Sequence, residues 1–205
     1  MGETTRAFVA LVLPPAALDP ARAVLRELRA RPWADAVKCV PPGNLHATLR
    51  FFGDLDPPAL ARARAWARSL DGAFAPVASG WTELGAFPSP RRPQVIWLGL
   101  ADPRGALRAL AARIDEGLRR EGFGRADKPF AAHVTLGRVR RDRRVDWSAA
   151  SDRLTIPAAA FSIRTIVLFK SRLTPAGAEH TPLETATARD QAPSDNGTEQ
   201  EGEQP

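Results

Sequence analysis

The chain has 205 residues, 44% hydrophobic and 25% charged, the balance of a globular protein with enough apolar material for a real core. No apolar run reaches the roughly eighteen residues of a membrane span, and a single cysteine, Cys39, excludes an intramolecular disulfide and a cysteine-built metal cage. The net charge is +6 but uneven: from Thr185 onward one arginine faces five acids, so this tail is −4 and the rest of the chain is +10, nearly all of it arginine. Such a body suits a phosphate-bearing partner such as nucleic acid, or equally a solvated basic surface.

The start, Met1 to Arg6, is polar and leads into "AFVALVL" (7–13), which is short and lacks a cleavage site, so it reads as a first strand and not as a signal peptide, while the lone cysteine fits a cytoplasmic location. Pro14-Pro15 closes it. "DPARAVLRELRAR" (19–31) is expected to be a helix capped by Asp19 with Pro20 at its first position. "LHATLRFFG" (45–53) alternates as a strand, and "PPALARARAWARSL" (57–70) has helical spacing. "FAPVASGWTELGAF" (74–87) reads as one long or bent strand and "QVIWLGL" (94–100) as another. "DPRGALRALAARIDEGLRREG" (102–122) is a helix expected to start on the same Asp-Pro cap. "FAAHVTLGRV" (130–139), "RLTIPAAAFSI" (153–163) and "TIVLFKSRL" (165–173) are strand candidates. Residues 186–205, rich in Gln, Glu, Ser, Pro and Gly, are expected to form a disordered acidic tail behind a single two-lobed domain at 1–185.

Two of the three histidines occur in one repeated phrase, His-x-Thr-Leu, at 46–49 and 133–136. Val9 in the first strand precedes His46 by 37 residues, and Ile96 in a later strand precedes His133 by the same 37. The chain therefore reads as two copies of a strand–helix–strand unit offset by 87 residues. On a strand, residues i and i+2 share a face. His46 with Thr48, and His133 with Thr135, then form polar faces, while Ala47, Leu49, Val134 and Leu136 point into a core. Paired imidazoles on facing strands suit displacement at phosphorus, with one acting as base and the other as acid on opposite sides of the phosphate. The threonine hydroxyls would hold the non-bridging oxygens. No metal or other cofactor is needed. Zinc would want three or four ligands, and only Asp54 lies near either phrase, beyond an expected turn.

These residues resemble the 2H phosphoesterase superfamily, named for two His-x-Thr/Ser motifs, and more narrowly the RNA 2',3'-cyclic phosphodiesterases once called 2'-5' RNA ligases. "RAFVALVLPP", "VPPGNLHATLRFFGD", "LGAFPSPRRPQVIWLGL", "KPFAAHVTLGR" and "VLFKSRLTPAGAEHTPL" carry the likeness over residues 6–183. The resemblance implies an α+β fold, two-lobed, with pseudo-twofold duplicated antiparallel sheets, outer helices and a central cleft. It implies metal-independent hydrolysis of RNA or oligonucleotide 2',3'-cyclic phosphate ends to 2'-phosphomonoesters. His46 matches the proton donor and His133 the proton acceptor. Thr48, Thr135 and Arg138 match phosphate-binding positions. Strand alternation puts Arg138 on the face opposite His133 unless a bulge or strand end falls at Gly137, whereas Arg50 has the parity of the cleft and is a second phosphate-binding candidate. Cys39, Ala132 and His180 stand where relatives often have Trp, Pro and Tyr, and His180 is read as structural or exposed. Among Phe51, Phe52, Trp81, Phe87 and Phe130, alternation buries Phe51, and Phe52 is the base-stacking candidate. The alternative is an RNA-end or nucleotide-binding protein with weak or reverse, 2'-5' joining, activity. The expected partner is an RNA or oligonucleotide with a 2',3'-cyclic end, with no membrane, no obligate protein partner and a monomeric state.

Overall fold

The computed structural model describes residues 3–147, 154–174 and 177–189. The elements run β1 (Thr5–Val12), α1 (Pro15–Arg29), β2 (Val37–Cys39), β3 (His46–Leu55), α2 (Pro57–Arg68), β4 (Val77–Phe87), β5 (Val95–Leu100), α3 (Ala106–Arg120), β6 (His133–Val139), β7 (Ala160–Ile163), β8 (Thr165–Thr174) and β9 (Gly177–Thr187). β1 buries Ala7 through Leu11 without a break, so both of its faces are covered and it takes an interior place between β3 and β8. β5, with Ile96, Leu98 and Leu100 buried, takes the matching place between β6 and β4. The sheets are four-stranded, β3-β1-β8-β9, and five-stranded, β2-β6-β5-β4-β7, with every pairing antiparallel. Their inward side chains merge into one apolar core, which also receives the buried faces of the three helices. This is the α+β class with two antiparallel sheets. Among the described residues no helix is long and apolar enough to cross a membrane.

The internal repeat is written in the strand register. In one sheet Val12 pairs with His46, Ala10 with Thr48, Val9 with Arg50 and Phe8 with Phe51. In the other, Gly99 pairs with His133, Trp97 with Thr135, Ile96 with Gly137 and Val95 with Arg138. Every one of these residues is displaced by the same 87 positions. One irregularity repeats as well: an extra residue interrupts the ladder at Leu49 in β3 and at Leu136 in β6, while a second one in β3, at Phe52, has no counterpart. Both leucines are buried, so each bulge is held by packing against the core.

The helices depart from the expected starts. α1 begins at Pro15, one turn before Asp19, because the buried stripe Ala17, Ala21, Val24, Leu25, Leu28 continues upstream with helical period. Val24, Leu25 and Leu28 contribute roughly 1.5–3 kcal/mol each by leaving water. Asp19 is therefore inside the helix, paired with Arg22 at 3.0 Å, and Pro20 is an interior proline that costs one backbone hydrogen bond. α3 starts at Ala106 after Gly105, whose φ of 69° needs glycine. Asp102 nonetheless caps it from a distance, accepting from the Leu107 and Arg108 N–H groups at 2.9 and 3.1 Å. The two Asp-Pro pairs are thus not equivalent, and the repeat rests on the strands.

Residue periodicity does not mark β9 as a strand, and only the family resemblance implies it, through the closing segment 167–183. It is an edge strand with a single buried residue, Ala186, and carries Pro182, which an edge tolerates. It runs through Thr187, past the expected tail boundary at 185. Ala186 and Ala188 are buried, and the Arg189 N–H donates to the Phe74 carbonyl at 2.8 Å. Arg64 and Arg68 of α2 both reach Glu184 on it, at 2.6 and 2.7 Å. The rest of the expected tail, 190–205, lies outside the described residues. β7 is also shorter than expected, with 154–159 irregular.

Candidate active site

β3, the edge of its sheet, lies against β6 of the other where the two sheets meet. A cavity of about 510 Å³ opens there, lined by His46 and Thr48 from β3 and by Thr135 and Arg138 from β6. His133 shares the strand face of Thr135 and stands beside the cavity, edge-on to Phe87 with ring centroids 5.1 Å apart and to Trp97 at 6.1 Å. Thus β3 and β6 bring the residues of both His-x-Thr phrases to one place.

The two histidines are oriented alike. His46 Nδ1 lies 2.7 Å from the Asn44 carbonyl, and His133 Nδ1 lies 2.8 Å from the Ala131 carbonyl, again an offset of 87. A carbonyl only accepts, so each Nδ1 carries the proton and donates it, leaving Nε2 as the working nitrogen of the neutral ring. Asn44 is itself held: its side-chain amide donates to the Ala178 carbonyl of β9 at 2.7 Å. The closing hairpin therefore fixes the carbonyl that aims His46.

Burial lowers the His46 pKa to about 4; the Asn44 hydrogen bond opposes this, and the charges of His180, His133 and Arg138 add to the lowering. His133 is lowered too, chiefly by burial, against the Ala131 hydrogen bond and with help from Arg138. Both rings are thus neutral at pH 7. That His46 senses both His133 and Arg138 fits their gathering at one cavity.

The bulges correct four of the residue placements read from strict alternation. Past Leu49 the parity of β3 inverts. Arg50, expected in the cleft, turns behind the sheet and is 6% exposed. There it forms a short ion pair with Asp115 of α3 and donates to the carbonyls of Phe123 at 2.9 Å and Gly124 at 3.2 Å. Phe51, expected to be buried, turns into the cavity and is 44% exposed, with the Arg6 guanidinium 4.5 Å from its ring centre. Phe52, the expected stacking residue, instead packs edge-on against Phe123 at 5.0 Å, away from the cavity lining. Past Leu136 the same inversion brings Arg138 to the cavity, so the bulge falls one residue before the Gly137 expected for it.

His180 is the residue that reading the chain missed. It is neither remote nor simply exposed: it lines the cavity, edge-on to His46 at 5.4 Å and to Phe8 at 4.9 Å. Its pKa is lowered, mainly by burial. It arrives through the β8–β9 hairpin, opposite Ser171, which also lines the cavity. The only available signal was the closing strand pair that the family resemblance implies. Asp54, the carboxylate weighed for zinc, is exposed and 3.9 Å from Arg6, while Cys39 lies in the cavity wall. Trp81 packs on Phe161 at 5.2 Å, and Phe130 packs on the core.

Residues 14–174 match the 2'-5' RNA ligase superfamily. A protein of Archaeoglobus fulgidus named RNA 2',3'-cyclic phosphodiesterase is 34% identical over 84% of this chain and 94% of its own length. Its namesakes from Methanothermobacter thermautotrophicus and Thermus thermophilus are 32% and 33% identical, over 87% and 90% of this chain and 96% and 90% of their own lengths. The crystal structure of TT0787 of Thermus thermophilus superposes with a TM-score of 0.70 at 28% identity, covering 91% of this chain and all of that one. Escherichia coli LigT complexed with 3'-AMP shares the fold, with a TM-score of 0.68 at 23% identity over 92% of this chain and all of its own. With its duplicated sheets and repeated His-x-Thr strands, the chain belongs to the 2'-5' RNA ligase superfamily, the two-histidine phosphoesterases.

Proposed function

We propose that the protein hydrolyses 2',3'-cyclic phosphate ends of RNA or oligonucleotides to 2'-phosphomonoesters. The observation that carries this reading is the paired, identically oriented His-x-Thr strands at one cavity; the names of the three relatives support it. His133 Nε2 accepts a proton from water as the water oxygen bonds to phosphorus. The bond from phosphorus to the 3' oxygen breaks, and His46 Nε2 supplies the proton that makes the 3' hydroxyl. Thr48 and Thr135 donate hydrogen bonds to the non-bridging oxygens, and Arg138 adds charge where it develops. Incubation with an oligonucleotide ending in a 2',3'-cyclic phosphate should give a 2'-phosphate end. A 3'-phosphate product, or tight binding of the cyclic end without turnover, would contradict the reading; the second outcome would favour an end-binding protein.

A His46 that titrates near 4 carries no proton to donate at neutral pH, so the substrate has to supply the condition for its own catalysis. A bound phosphate anion favours the imidazolium and raises the His46 pKa. Between the free and bound pKa values the complex holds more protons than the free protein. Binding a 2'-nucleoside monophosphate at about pH 5.5, above the free value and near the ordinary imidazole range, should therefore take up protons, and affinity should fall as pH rises through the bound pKa. Calorimetry in two buffers of different ionisation enthalpy measures this. Zero uptake would remove His46 as the proton carrier.

Phe51 takes the base-stacking role first assigned to Phe52, because it is the exposed ring in the cavity wall. Stacking on an aromatic ring is worth about 1–3 kcal/mol per base. Phe51→Ala should raise KM for a cyclic mononucleotide roughly tenfold, while Phe52→Ala leaves KM unchanged and lowers stability. The reverse pattern in steady-state kinetics would return the role to Phe52.

A further inference from the structure

Two arginine-bearing turns sit side by side at the end of the five-stranded sheet, next to the cavity. One, 88–92, begins directly after Phe87, the ring packed against His133, and closes with the Arg92 N–H donating to the Ser89 carbonyl at 3.2 Å. The other follows β6, with the Arg143 N–H donating to the Arg140 carbonyl at 3.1 Å. They are tied together: Trp147 N–H donates to the Pro90 carbonyl at 3.0 Å, and Val139 N–H to the Gln94 carbonyl at 3.0 Å. Trp147 is 1% exposed and edge-on to Trp33 at 5.7 Å, so the second turn is anchored in the core.

Arg91 and Arg92 on the first turn, and Arg141 and Arg144 on the second, are exposed. Among the described residues none of the four makes an ion pair or a side-chain hydrogen bond. Five of the helix arginines, Arg22, Arg64, Arg68, Arg119 and Arg120, by contrast hold carboxylates, while among the described residues Arg26 and Arg29 at the end of α1 do not. Acids are not absent here, since Asp142 on the second turn and Asp35, just before β2, both lie within ion-pair range of Arg143, at 3.9 and 3.5 Å. The patch is also continuous with the site. Arg138, in the cavity wall, pairs with Val95 at the end of the first turn, and only Val139 and Arg140, a span of about 10 Å at most, separate it from Arg141. A cationic surface that begins at the phosphate position and spreads outward in one direction fits a chain of phosphates better than a single one.

We infer that this twin-turn surface binds the sugar–phosphate backbone of an RNA strand whose 3' end lies in the cavity, so that the preferred substrate is a polynucleotide and not a cyclic mononucleotide. This rests on the proposed cyclic-phosphate activity for the identity of the end, but the surface is tested separately from it. The contacts are to phosphate, so they supply affinity and direction without reading sequence.

The test compares a 2',3'-cyclic mononucleotide with an RNA of about 20 nucleotides bearing the same end. The variants are R91Q/R92Q/R141Q/R144Q and, for equal charge removed elsewhere, R26Q/R29Q/R119Q/R120Q on the helices. At about 50 mM salt the turn variant should raise KM for the RNA at least roughly tenfold and leave the mononucleotide unchanged; the helix variant should change either by less than about threefold. With one phosphate met per arginine, raising salt from about 50 to about 200 mM should weaken RNA binding roughly 50-fold more in the wild type than in the turn variant, since each neutralised phosphate adds about 0.7 to the salt slope. Equal losses in the two variants, or equal losses on both substrates, would overturn the inference. So would competition by polyglutamate as strong as that by unreactive RNA. If the wild type opens neither substrate, the proposed activity fails. Fluorescence anisotropy of the RNA then decides the surface: binding lost only in the turn variant upholds it, and binding retained there overturns it.

Discussion

His46→Ala and His133→Ala should each lower kcat/KM on a 2',3'-cyclic oligonucleotide by roughly 10²–10⁴-fold, the usual contribution of a positioned general acid or base. Each removes one working Nε2 while leaving both threonines and Arg138 in place to bind phosphate. KM should therefore change less than kcat. Because acid and base act in one displacement, the double variant should lose far less than the product of the single losses. Folding should survive both changes, since neither imidazole is fully buried and the apolar residues between, Ala47, Leu49, Val134 and Leu136, are untouched. His46→Gln and His133→Gln, which keep polar bulk, should behave like the alanine variants. Wild-type kcat in any of these, with circular dichroism showing a folded protein, would end the paired-histidine scheme.

Arg50→Met should lower unfolding stability by about 2–3 kcal/mol. Breaking a buried ion pair by removing one partner commonly costs about 3–5 kcal/mol, and the lower figure applies because Asp115 is a third exposed and water can reach it. The guanidinium also satisfies the carbonyls of Phe123 and Gly124. Asp115 further accepts from the Ala126 N–H at 3.0 Å, so the same pair organises the turn that follows α3. One arginine thus fastens the strand of the first histidine to the helix of the second repeat. Urea denaturation reads the effect directly. A loss below about 0.5 kcal/mol, typical of a surface substitution, would show that Arg50 is not a structural clamp. A large rise in KM at unchanged stability would return it to the phosphate site that strict alternation assigned to it.

The contrast between Arg50 and Arg138 shows where a sequence stops informing. Both follow a His-x-Thr-Leu phrase, Arg50 at the fourth position after its histidine and Arg138 at the fifth. Period-two alternation sends the first into the cleft and the second away from it. The bulges at Leu49 and Leu136 reverse both outcomes and turn Phe51 to the cavity wall, and a second irregularity in β3 leaves Phe52 itself unpaired in the ladder. Bulges leave no composition signature here, since Leu49 and Leu136 are ordinary apolar residues of an alternating strand. What creates them is the pairing with β1 and β5, whose partner residues at the bulges lie 38 to 41 positions upstream in the chain. The Asp-Pro pairs mislead for a similar reason: a local cap preference at Asp19 yields to the longer apolar stripe that α1 buries.

The family resemblance implied the α+β class; the residue pattern by itself determined the two central strands, the 87-residue repeat and the two imidazole–hydroxyl phrases. These follow from short-range periodicity and from identity between two segments, which need no partner to be read. Only the tertiary structure decided which residues share the cavity beyond those phrases. Phe51 and His180 enter it, and Arg50 and Phe52 leave it, through strand register and a terminal hairpin, and the bulge at Leu136 is what lets Arg138, a position the family resemblance implied, reach it. Register is a property of two strands together, so a single residue of slip reverses every side chain beyond it.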